Sequence, residues 1–360
     1  MTATGRSTQA GHGAARFFER FGPLLALVLL FIGTAALEQL LIDPDRRGFL
    51  KPQNLLNILS QWSFVGIVAV GMTYVIILGG IDLSVGSMVA LTGGLAVQVM
   101  NFVAARHGEA WGLASAASVC VVGGALLGWL NGLVIAKGRI APFVATLGSM
   151  AVYRALVLAR ADGGEIRSSV SSYSKIGGGS IQLPTWFGGS AARTLEDGTV
   201  ERAVHLTLRY PTLVFLGVAI VGSLALWLTA FGMSVYAIGD NAKAARYAGV
   251  RIPRVTTAVY TIAGLCCGIS ALLNSSRLNS VSSSSLGLFY ELDAIAAVVI
   301  GGTRLQGGSG SVFGTVVGVL ILGVVSNMLN MLEVSNFYHG LVKGLIIIAA
   351  VLVQPRKSET

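Results

Sequence analysis

Long apolar runs alternate with short polar stretches along most of this 360-residue chain. A helix of about 20 apolar residues crosses the hydrocarbon core of a bilayer. Only 11% of the residues are charged and 54% are hydrophobic, whereas a soluble domain carries roughly 25% charged residues. These few charged residues cannot cover a water-facing surface of this size. The sequence therefore predicts an all-α polytopic membrane protein. The predicted spans lie near residues 23–42, 56–79, 87–105, 111–136, 141–160, 211–231, 256–275, 290–302, 312–332 and 339–354.

The count of apolar runs predicts eight to ten spans and favours ten. The run at 290–302 is short for a complete crossing and is also consistent with a re-entrant or broken helix. The first run follows Arg16 and Arg20, as the apolar part of a signal peptide would. Nine apolar runs come after it without a convincing cleavage site, so an uncleaved first helix is the better interpretation.

The positive charges between the spans predict the orientation of the chain. Cytoplasmic loops carry an excess of Lys and Arg, and the inner connections are richer in these residues if both termini lie inside. The sequence thus predicts an N-in, C-in topology, with inner tails at 1–22 and 355–360 and a single membrane domain at 23–354. A polar, Gly/Ser-rich loop at 161–208 then lies outside, and the charged loop at 232–254 lies inside.

Several other functions are disfavoured by the sequence. The net charge of +9 comes from short stretches between apolar runs and not from an aromatic-interleaved patch, so nucleic-acid binding is not predicted. Cys120, Cys266 and Cys267 lie in apolar runs and are predicted to be buried hydrophobes. The four histidines show no metal-ligand spacing, and neither a P-loop nor an HExxH or GxSxG motif is present. We therefore expect no catalytic residues and no metal, nucleotide or other cofactor bound by this chain.

A Gly-rich interruption, GGIDLSVGS at residues 79–87, separates two of the apolar runs. Two glycines end one span, and Asp82 and Ser84 are suited to cap the start of the next. Two interpretations remain open at this point: a tight, capped cytoplasmic turn, or a discontinuous helix pair beside a translocation path. Residues 301–309 repeat Gly, Gly, Leu, Gly and Ser of this segment at matching places, which is thin evidence for a duplicated half.

Ionisable side chains within or bordering the predicted spans are few: Glu38, Asp82, Arg154, Glu291, Asp293 and Lys343. Such residues usually face a bundle interior or a wet cavity. A proton-coupled carrier needs carboxylates near the membrane midplane, and only Glu38 approaches that depth. Glu291 and Asp293 lie near the predicted outer end of their span. This position is as consistent with a place at the membrane interface as with a functional role. Proton coupling is therefore poorly supported.

The inner loop at 232–254 contains a strongly helix-forming segment, AKAARYA at residues 242–248. Gly249 provides a stop after this segment, and Pro253 follows four residues later. Most basic inner loops only set the topology. A short helix with exposed basic residues is also a suitable docking element for a soluble cytoplasmic partner, and the residues alone leave both interpretations open.

Five stretches of the chain resemble the membrane permeases of ATP-binding-cassette importers for monosaccharides, the ribose permease family. They are FLKPQNLLN at 49–57, GMTYVIILGGIDLSVGS at 71–87, NGLVIAKGRIAPFVATLG at 131–148, YAIGDNAKAARYAG at 236–249 and ELDAIAAVVIGGTRLQGGSGSVFG at 291–314. Each Gly-rich fragment alone is a weak signal, but the combination is very specific. The segments 1–22 and 161–208 lie outside the strong match, and the latter is extended relative to the family pattern.

The resemblance implies a set of partners and a location. Two permeases are expected to form the pore in the bacterial inner membrane, surrounded by lipid, and a homodimer is favoured. A cytoplasmic ATPase that holds ATP and Mg²⁺ is expected beneath them, and a periplasmic sugar-binding protein is expected to deliver the substrate. A pentose, a hexose or a related sugar is implied, and a nucleoside, inositol or autoinducer sugar is the alternative. The rivals from other classes are an ion-coupled secondary transporter and a membrane scaffold.

The resemblance also implies two groups of functional residues. The cytoplasmic coupling loop that docks on the ATPase is expected to comprise Tyr236, Gly239, Asn241, Ala244, Ala245, Arg246, Gly249 and Ile252. The translocation path with its broken helices is expected to comprise Gly79, Gly80, Asp82, Ser84, Gly86, Asn131, Glu291, Asp293, Gly301 and Gly302. Lys243 stands where many importers carry Glu, so no charge contact with the ATPase is inferred at that position.

Overall fold

A computed structural model describes residues 6–184, 193–194, 200–201 and 205–353 of the chain. The described residues form twelve α-helices and three short two-stranded sheets. The helices are α1 Arg6–Leu41, α2 Pro52–Ile77, α3 Val85–His107, α4 Glu109–Gly138, α5 Pro142–Arg160, α6 Ser174–Gly178, α7 Tyr210–Leu228, α8 Ala230–Tyr247, α9 Ile252–Leu278, α10 Tyr290–Ile300, α11 Val312–Met331 and α12 Asn336–Val353. The strands are β1 Glu165–Arg167, β2 Ser180–Gln182, β3 Arg193–Thr194, β4 Val200–Glu201, β5 Thr207–Arg209 and β6 Ser280–Ser282.

Eight of the described helices are long and apolar enough to cross a membrane: α1 from Phe21 onward, α2, α3, α4, α5, α7, α9 and α11. This confirms the predicted polytopic α-helical fold, at the lower end of the predicted range of eight to ten spans. The run at 290–302 does not form a full span, because α10 has only 11 residues and at ~1.5 Å per residue extends about 16 Å. That is roughly half of a ~30 Å hydrocarbon core, so this run is not a complete span, as the re-entrant or broken-helix interpretation predicted. The predicted run at 339–354 is α12, which ends at the last described residue, Val353.

Prolines start four of the helices. Pro52, Pro142, Pro211 and Pro253 occupy the first or second position of α2, α5, α7 and α9. An amide at these positions would have no partner within the helix, so the missing N–H of proline costs nothing there. The sequence thus sets where these spans begin. The predicted tail at 1–22 is helical from Arg6, since α1 runs without a break to Leu41, and residues 354–360 lie outside the described part.

The centre of the bundle is α9, which packs against α2, α3 and α4. Its contact with α4 is made by glycines spaced four residues apart, Gly124, Gly128 and Gly132 on α4 and Gly264 and Gly268 on α9. A Cβ atom on Gly128 would lie only 2.9 Å from the Cα of Gly264. Because apolar helices gain little from the hydrophobic effect in lipid, such close backbone contact is a main source of their association.

The described first part of the loop predicted at 161–208 is packed and not merely a mobile linker. Strand β1 pairs antiparallel with β6, which directly follows α9. The fully buried Tyr173 places its hydroxyl 2.7 Å from Ser275 Oγ of α9. This part of the loop therefore covers the end of α9 that precedes β6. The residues between 184 and 205 are largely outside the described part, and a role for the loop in partner binding stays a prediction.

Candidate functional site

The Gly-rich interruption between α2 and α3 is the first part of the candidate site. Residues 78–84 lie between the two helices, and Gly79 has φ +87°, a conformation that glycine adopts without strain. At Gly80 there is no room for a side chain, because a Cβ atom would lie 2.6 Å from the hydroxyl oxygen of Tyr260 on α9. The two glycines therefore turn the chain and let it pass directly against α9.

Asp82 is fully buried in this interruption and holds Ser84 in place. Its Oδ1 accepts hydrogen bonds from the backbone N–H of Ser84 at 2.9 Å and from the Ser84 hydroxyl at 2.6 Å. The prediction that the Ser84 side chain caps α3 is wrong, since this helix-start residue makes no side-chain capping bond, whereas Asp82 does accept a backbone N–H at the start of the helix. The Ser84 backbone is already helical, with φ −83° and ψ −9°, whereas a capping residue is normally extended, and its hydroxyl donates to Asp82 instead.

Asn131 of α4 connects this interruption to α5. Its Nδ2 donates to Ser84 Oγ at 2.8 Å, and its Oδ1 accepts from the hydroxyls of Ser149 at 2.7 Å and Tyr153 at 3.0 Å. Asn131 is only 2% exposed, so these three bonds use most of its capacity. Asn131 therefore contacts the interruption, and its predicted place in a translocation path stays a prediction.

A polar face on α5 was missed by the sequence analysis. Thr146 accepts a hydrogen bond from the backbone N–H of Leu83 at 3.2 Å, and it lies three and seven residues before Ser149 and Tyr153. Residues at this spacing share one face of a helix. Three hydroxyl side chains along one face of an apolar span were a usable signal, because polar groups in lipid need partners inside the bundle.

The start of the half-helix α10 meets the Gly-rich interruption. Gly86 in the first turn of α3 lies against the start of α10, where a Cβ atom would come within 2.6 Å of Glu291 Oε2 and 3.3 Å of the Gly287 carbonyl carbon. Arg154 of α5 donates from Nη1 to the carbonyl oxygens of Ser283 at 2.9 Å and Leu286 at 3.0 Å. These bonds fix the chain that leads into α10. Both interpretations of the interruption stay predictions, because α2 and α3 are each long enough to cross a membrane on their own.

The segment after α10 packs on the segment after α2. The backbone N–H of Gly308 donates to the Ile77 carbonyl at 2.9 Å, and a Cβ atom on Gly307 would lie 3.0 Å from the Cα of Gly79. The two Gly-rich segments with matching sequence are therefore in contact. Gly302 has φ +89° and Gly301 lies against the first turn of α11, so both glycines are needed for this turn. An internal duplication stays a prediction.

Asp293 does not join this group. Its Oδ2 lies 3.1 Å from Lys343 Nζ of α12, and the ammonium group lies 4.9 Å from the centre of the Trp62 ring on α2. The side chains of Lys343 and Asp293 are 23% and 14% exposed. Asp293 thus anchors the half-helix α10 to α12 and α2, instead of facing Asp82 and Asn131.

The predicted short helix in the 232–254 loop is present and lies at the end of α8. The helix α8 is interrupted at Asn241, with φ −155° and ψ 99°. Asn241 Oδ1 accepts from the backbone N–H groups of Lys243 at 3.1 Å and Ala244 at 3.0 Å, which is an N-cap. Gly249 ends the helix with φ +84°. We call residues 241–252 the coupling segment.

The coupling segment presents most of its predicted residues to solvent. Asn241, Ala244, Arg246 and Gly249 are exposed, Ile252 is half-buried and Ala245 is buried against the bundle. Tyr236 and Gly239 lie in the part of α8 that precedes this segment. The Tyr236 hydroxyl donates to the Gly310 carbonyl at 2.8 Å, and Gly239 packs against Gly308. Through Gly308 and Ile77 the coupling segment is connected to the Gly-rich interruption.

The described residues include no group of three or more His, Cys, Asp or Glu side chains that would hold a metal ion. Asp82 Oδ2 and the Tyr260 hydroxyl are buried and have no hydrogen-bond partner within the described part of the chain. Buried polar atoms are normally paired, and two of the exceptions therefore lie at the interruption.

The described chain is thus a bundle of apolar helices in which the Gly-rich interruption contacts the start of α10, and a capped helix is exposed after Asn241. Residues 54–351 match the protein family described as the permease component of the branched-chain amino acid transport system. The chain belongs to this family of transport permeases. With eight apolar helices long enough to cross a membrane in the described part of the chain, it is a multi-pass inner-membrane transport protein and not an enzyme.

Known relatives cover most of the chain. The ribose import permease protein of Bacillus subtilis is 38% identical over 94% of this chain and 94% of its own length. The ribose import permease protein of Escherichia coli K12 is 37% identical over 86% of this chain and 88% of its own length. The xylose transport system permease protein of Escherichia coli K12 is 35% identical, with 84% of this chain and 85% of its own length covered. No solved structure matches the chain.

Proposed function

We propose that this chain is the membrane permease of an ATP-driven importer for a pentose. The observation that carries the proposal is the similarity over nearly the full length to permeases for ribose and for xylose, at 38% and 35% identity. Both sugars are pentoses. The family description names branched-chain amino acids, which makes an amino acid the second candidate substrate.

The energy for transport comes from a separate ATPase that docks on the coupling segment, and ATP and Mg²⁺ are bound by that subunit. The exposed, N-capped helix after Asn241 supports this role. An ion-coupled carrier is disfavoured because Glu38, the carboxylate suited to such a role, accepts the backbone N–H groups of Gly48 and Phe49 at 2.6 and 2.8 Å. A periplasmic binding protein and a second copy of this chain complete the proposed transporter.

The contacts of α8 suggest how the ATPase would move the segments that line the proposed translocation path. Movement of the coupling segment would be passed through Tyr236 and Gly239 to the segment at 301–310, and from Gly308 to the end of α2 at Ile77. The Gly-rich interruption and the half-helix α10 would then shift relative to each other and open the translocation path alternately to each side. This mechanism requires two discrete arrangements of these segments.

The substrate is tested by reconstituting the permease with its co-encoded ATPase and binding protein and measuring ATP hydrolysis with a panel of solutes. We expect stimulation by ribose or xylose, and none by hexoses, nucleosides, inositol or leucine. Stimulation by leucine alone would overturn the proposed substrate class.

The mechanism is tested with Tyr236→Phe, which removes the bond to Gly310 while keeping the ring. Substrate-stimulated ATPase activity should fall several-fold in the assembled complex, with Tyr338→Phe, at an exposed position of α12, as the control. Unchanged stimulation in Tyr236→Phe would remove this bond from the proposed route.

A further inference from the structure

A cleft of about 850 Å³ lies between the coupling segment and the turn that joins α4 to α5. Its size is within the usual range of small-molecule sites, roughly 300–1,000 Å³. Five basic side chains line it: Lys137, Arg139, Arg246, Arg251 and Arg254.

These five cations have no counter-charge in the protein that the structure describes. The residues that line the cleft include no Asp or Glu, and the ion pairs among the described residues involve other basic side chains. The start of the 27-residue helix α9 also lies in this cleft, at Ile252 and Pro253. The amino terminus of a long helix adds positive potential, so the cleft is built to receive an anion.

An apolar groove along α4 and α9 adjoins the cleft and shares lining residues with it. This groove has a volume of about 660 Å³ and is lined by Trp129, Leu133, Ala258 and Ile262, among others. Lys137 and Arg254 line both the groove and the cleft. A ligand that occupies both spaces must therefore carry a negative group at one end and an apolar chain at the other.

We propose that the groove and the cleft together bind one anionic phospholipid. An acyl chain would lie against α4 and α9, and the headgroup phosphate would lie among the five cations. A free phosphate or nucleotide would leave the groove empty, whereas the two connected spaces match the two ends of a lipid. Basic pockets between helices on the cytoplasmic side are known binding places for such headgroups.

The proposal has a consequence for transport, and only that consequence rests on the proposed function. Arg246 and Arg251 of the cleft belong to the coupling segment, while Lys137 and Arg139 belong to the α4–α5 turn. A bound phosphate would hold these two parts together by charge-assisted contacts. The lipid would thereby set how firmly the coupling segment is held on the bundle.

The test uses the full-length permease in detergent, with native mass spectrometry during titration with cardiolipin, phosphatidylglycerol or phosphatidylcholine. The first variant combines Lys137→Gln, Arg139→Gln and Arg254→Gln and leaves the coupling segment untouched. The second variant, Thr261→Trp, fills the groove without changing the charge. The control combines Arg106→Gln, Arg160→Gln and Lys175→Gln, which removes the same charge from exposed positions away from the cleft.

We expect the wild type to prefer the two anionic lipids. The triple cleft variant should bind cardiolipin on the order of 100-fold more weakly, since each basic residue near a membrane surface contributes about one factor of five. Thr261→Trp should also weaken binding, and the control should match the wild type. Equal binding by the cleft variant and the wild type would overturn the proposal, as would an absence of preference for anionic lipid.

One further measurement separates the lipid from a protein occupant. The ATPase is added to the lipid-loaded wild type, and the lipid should remain bound in the complex. Displacement of the lipid by the ATPase would assign the cleft to the protein contact and overturn the proposal. Because the titration needs no transport, it can fail or succeed independently of the proposed substrate.

Discussion

A methyl group at Gly86 tests whether the start of α3 and the start of α10 must approach as closely as they do. In Gly86→Ala the new Cβ atom would lie 2.6 Å from Glu291 Oε2 and 3.3 Å from the Gly287 carbonyl carbon. The Glu291 carboxylate is at the end of a side chain and can move, but the backbone of Gly287 cannot move without shifting the start of α10. Overpacking of this kind costs about 1–3 kcal/mol, and the gain in helix propensity from Gly to Ala, at most about 1 kcal/mol, offsets part of it.

The same helix provides a matched control at Gly93, two turns further along α3. There the nearest heavy atoms to a new Cβ belong to Leu286, Val281 and Ser275 at 3.5, 3.5 and 3.6 Å. These are ordinary van der Waals contacts, so Gly93→Ala should be neutral or slightly stabilising.

Thermal unfolding of the purified permease, followed by fluorescence-detected size-exclusion chromatography, compares the two variants. Gly86→Ala should unfold at a lower temperature than the wild type and lose substrate-stimulated ATPase activity in the complex. Gly93→Ala should keep both properties. If the two variants behave alike, the close approach of α3 and α10 is not a requirement and the reasoning fails.

Two further predictions concern the anchor of α10 and the coupling segment. Asp293→Asn leaves the Lys343 ammonium without its carboxylate and should destabilise the permease by about 3 kcal/mol, the lower end of the cost for breaking a buried ion pair, because both side chains keep some exposure; thermal unfolding measures this. Asn241→Ala removes the cap of the docking helix, at a cost of about 1 kcal/mol, and should reduce substrate-stimulated ATPase activity while the thermal midpoint stays nearly unchanged.

Each of these has its own check. Replacing both members of the ion pair, as Asp293→Leu with Lys343→Met, should restore most of the stability, because no buried charge is then left unpaired. A double variant as unstable as Asp293→Asn would contradict the role given to the pair. For the cap, Asn241→Ser should retain activity since serine also caps, and equal losses in the Ala and Ser variants would show that capping is not the cause.

Much of the fold follows from local features of the sequence. The apolar runs and the prolines at 52, 142, 211 and 253 fix where the spans lie, and the helix-forming segment before Gly249 was predicted for the same local reason. Ten spans were favoured, whereas eight helices among the described residues are long and apolar enough to cross a membrane, partly because α10 is apolar but short. Hydropathy depends only on which residues a segment contains. Whether an apolar segment forms a half-helix also depends on the residues that pack around its ends, which hydropathy does not include.

The candidate site was harder to predict because its contacts join distant parts of the chain. The sequence could not show that Gly86 meets the start of α10, that the Gly308 amide binds Ile77, or that Asp293 pairs with Lys343 instead of facing the path. The capping role given to Ser84 failed for a related reason. Its residue type predicted a cap, but the Ser84 hydroxyl donates to Asp82 and accepts from Asn131 of another helix.

The central claim is that this chain conducts a pentose when a separate ATPase supplies the energy. Proteoliposomes that contain the permease, its ATPase and its binding protein provide the most direct test, with radiolabelled ribose and xylose followed during uptake. We predict that one or both sugars are taken up only when ATP is present on the side of the membrane where the coupling segment lies. Collapsing the ion gradients should leave this uptake unchanged. Uptake by the permease alone under a proton or sodium gradient, without ATPase or ATP, would contradict the account.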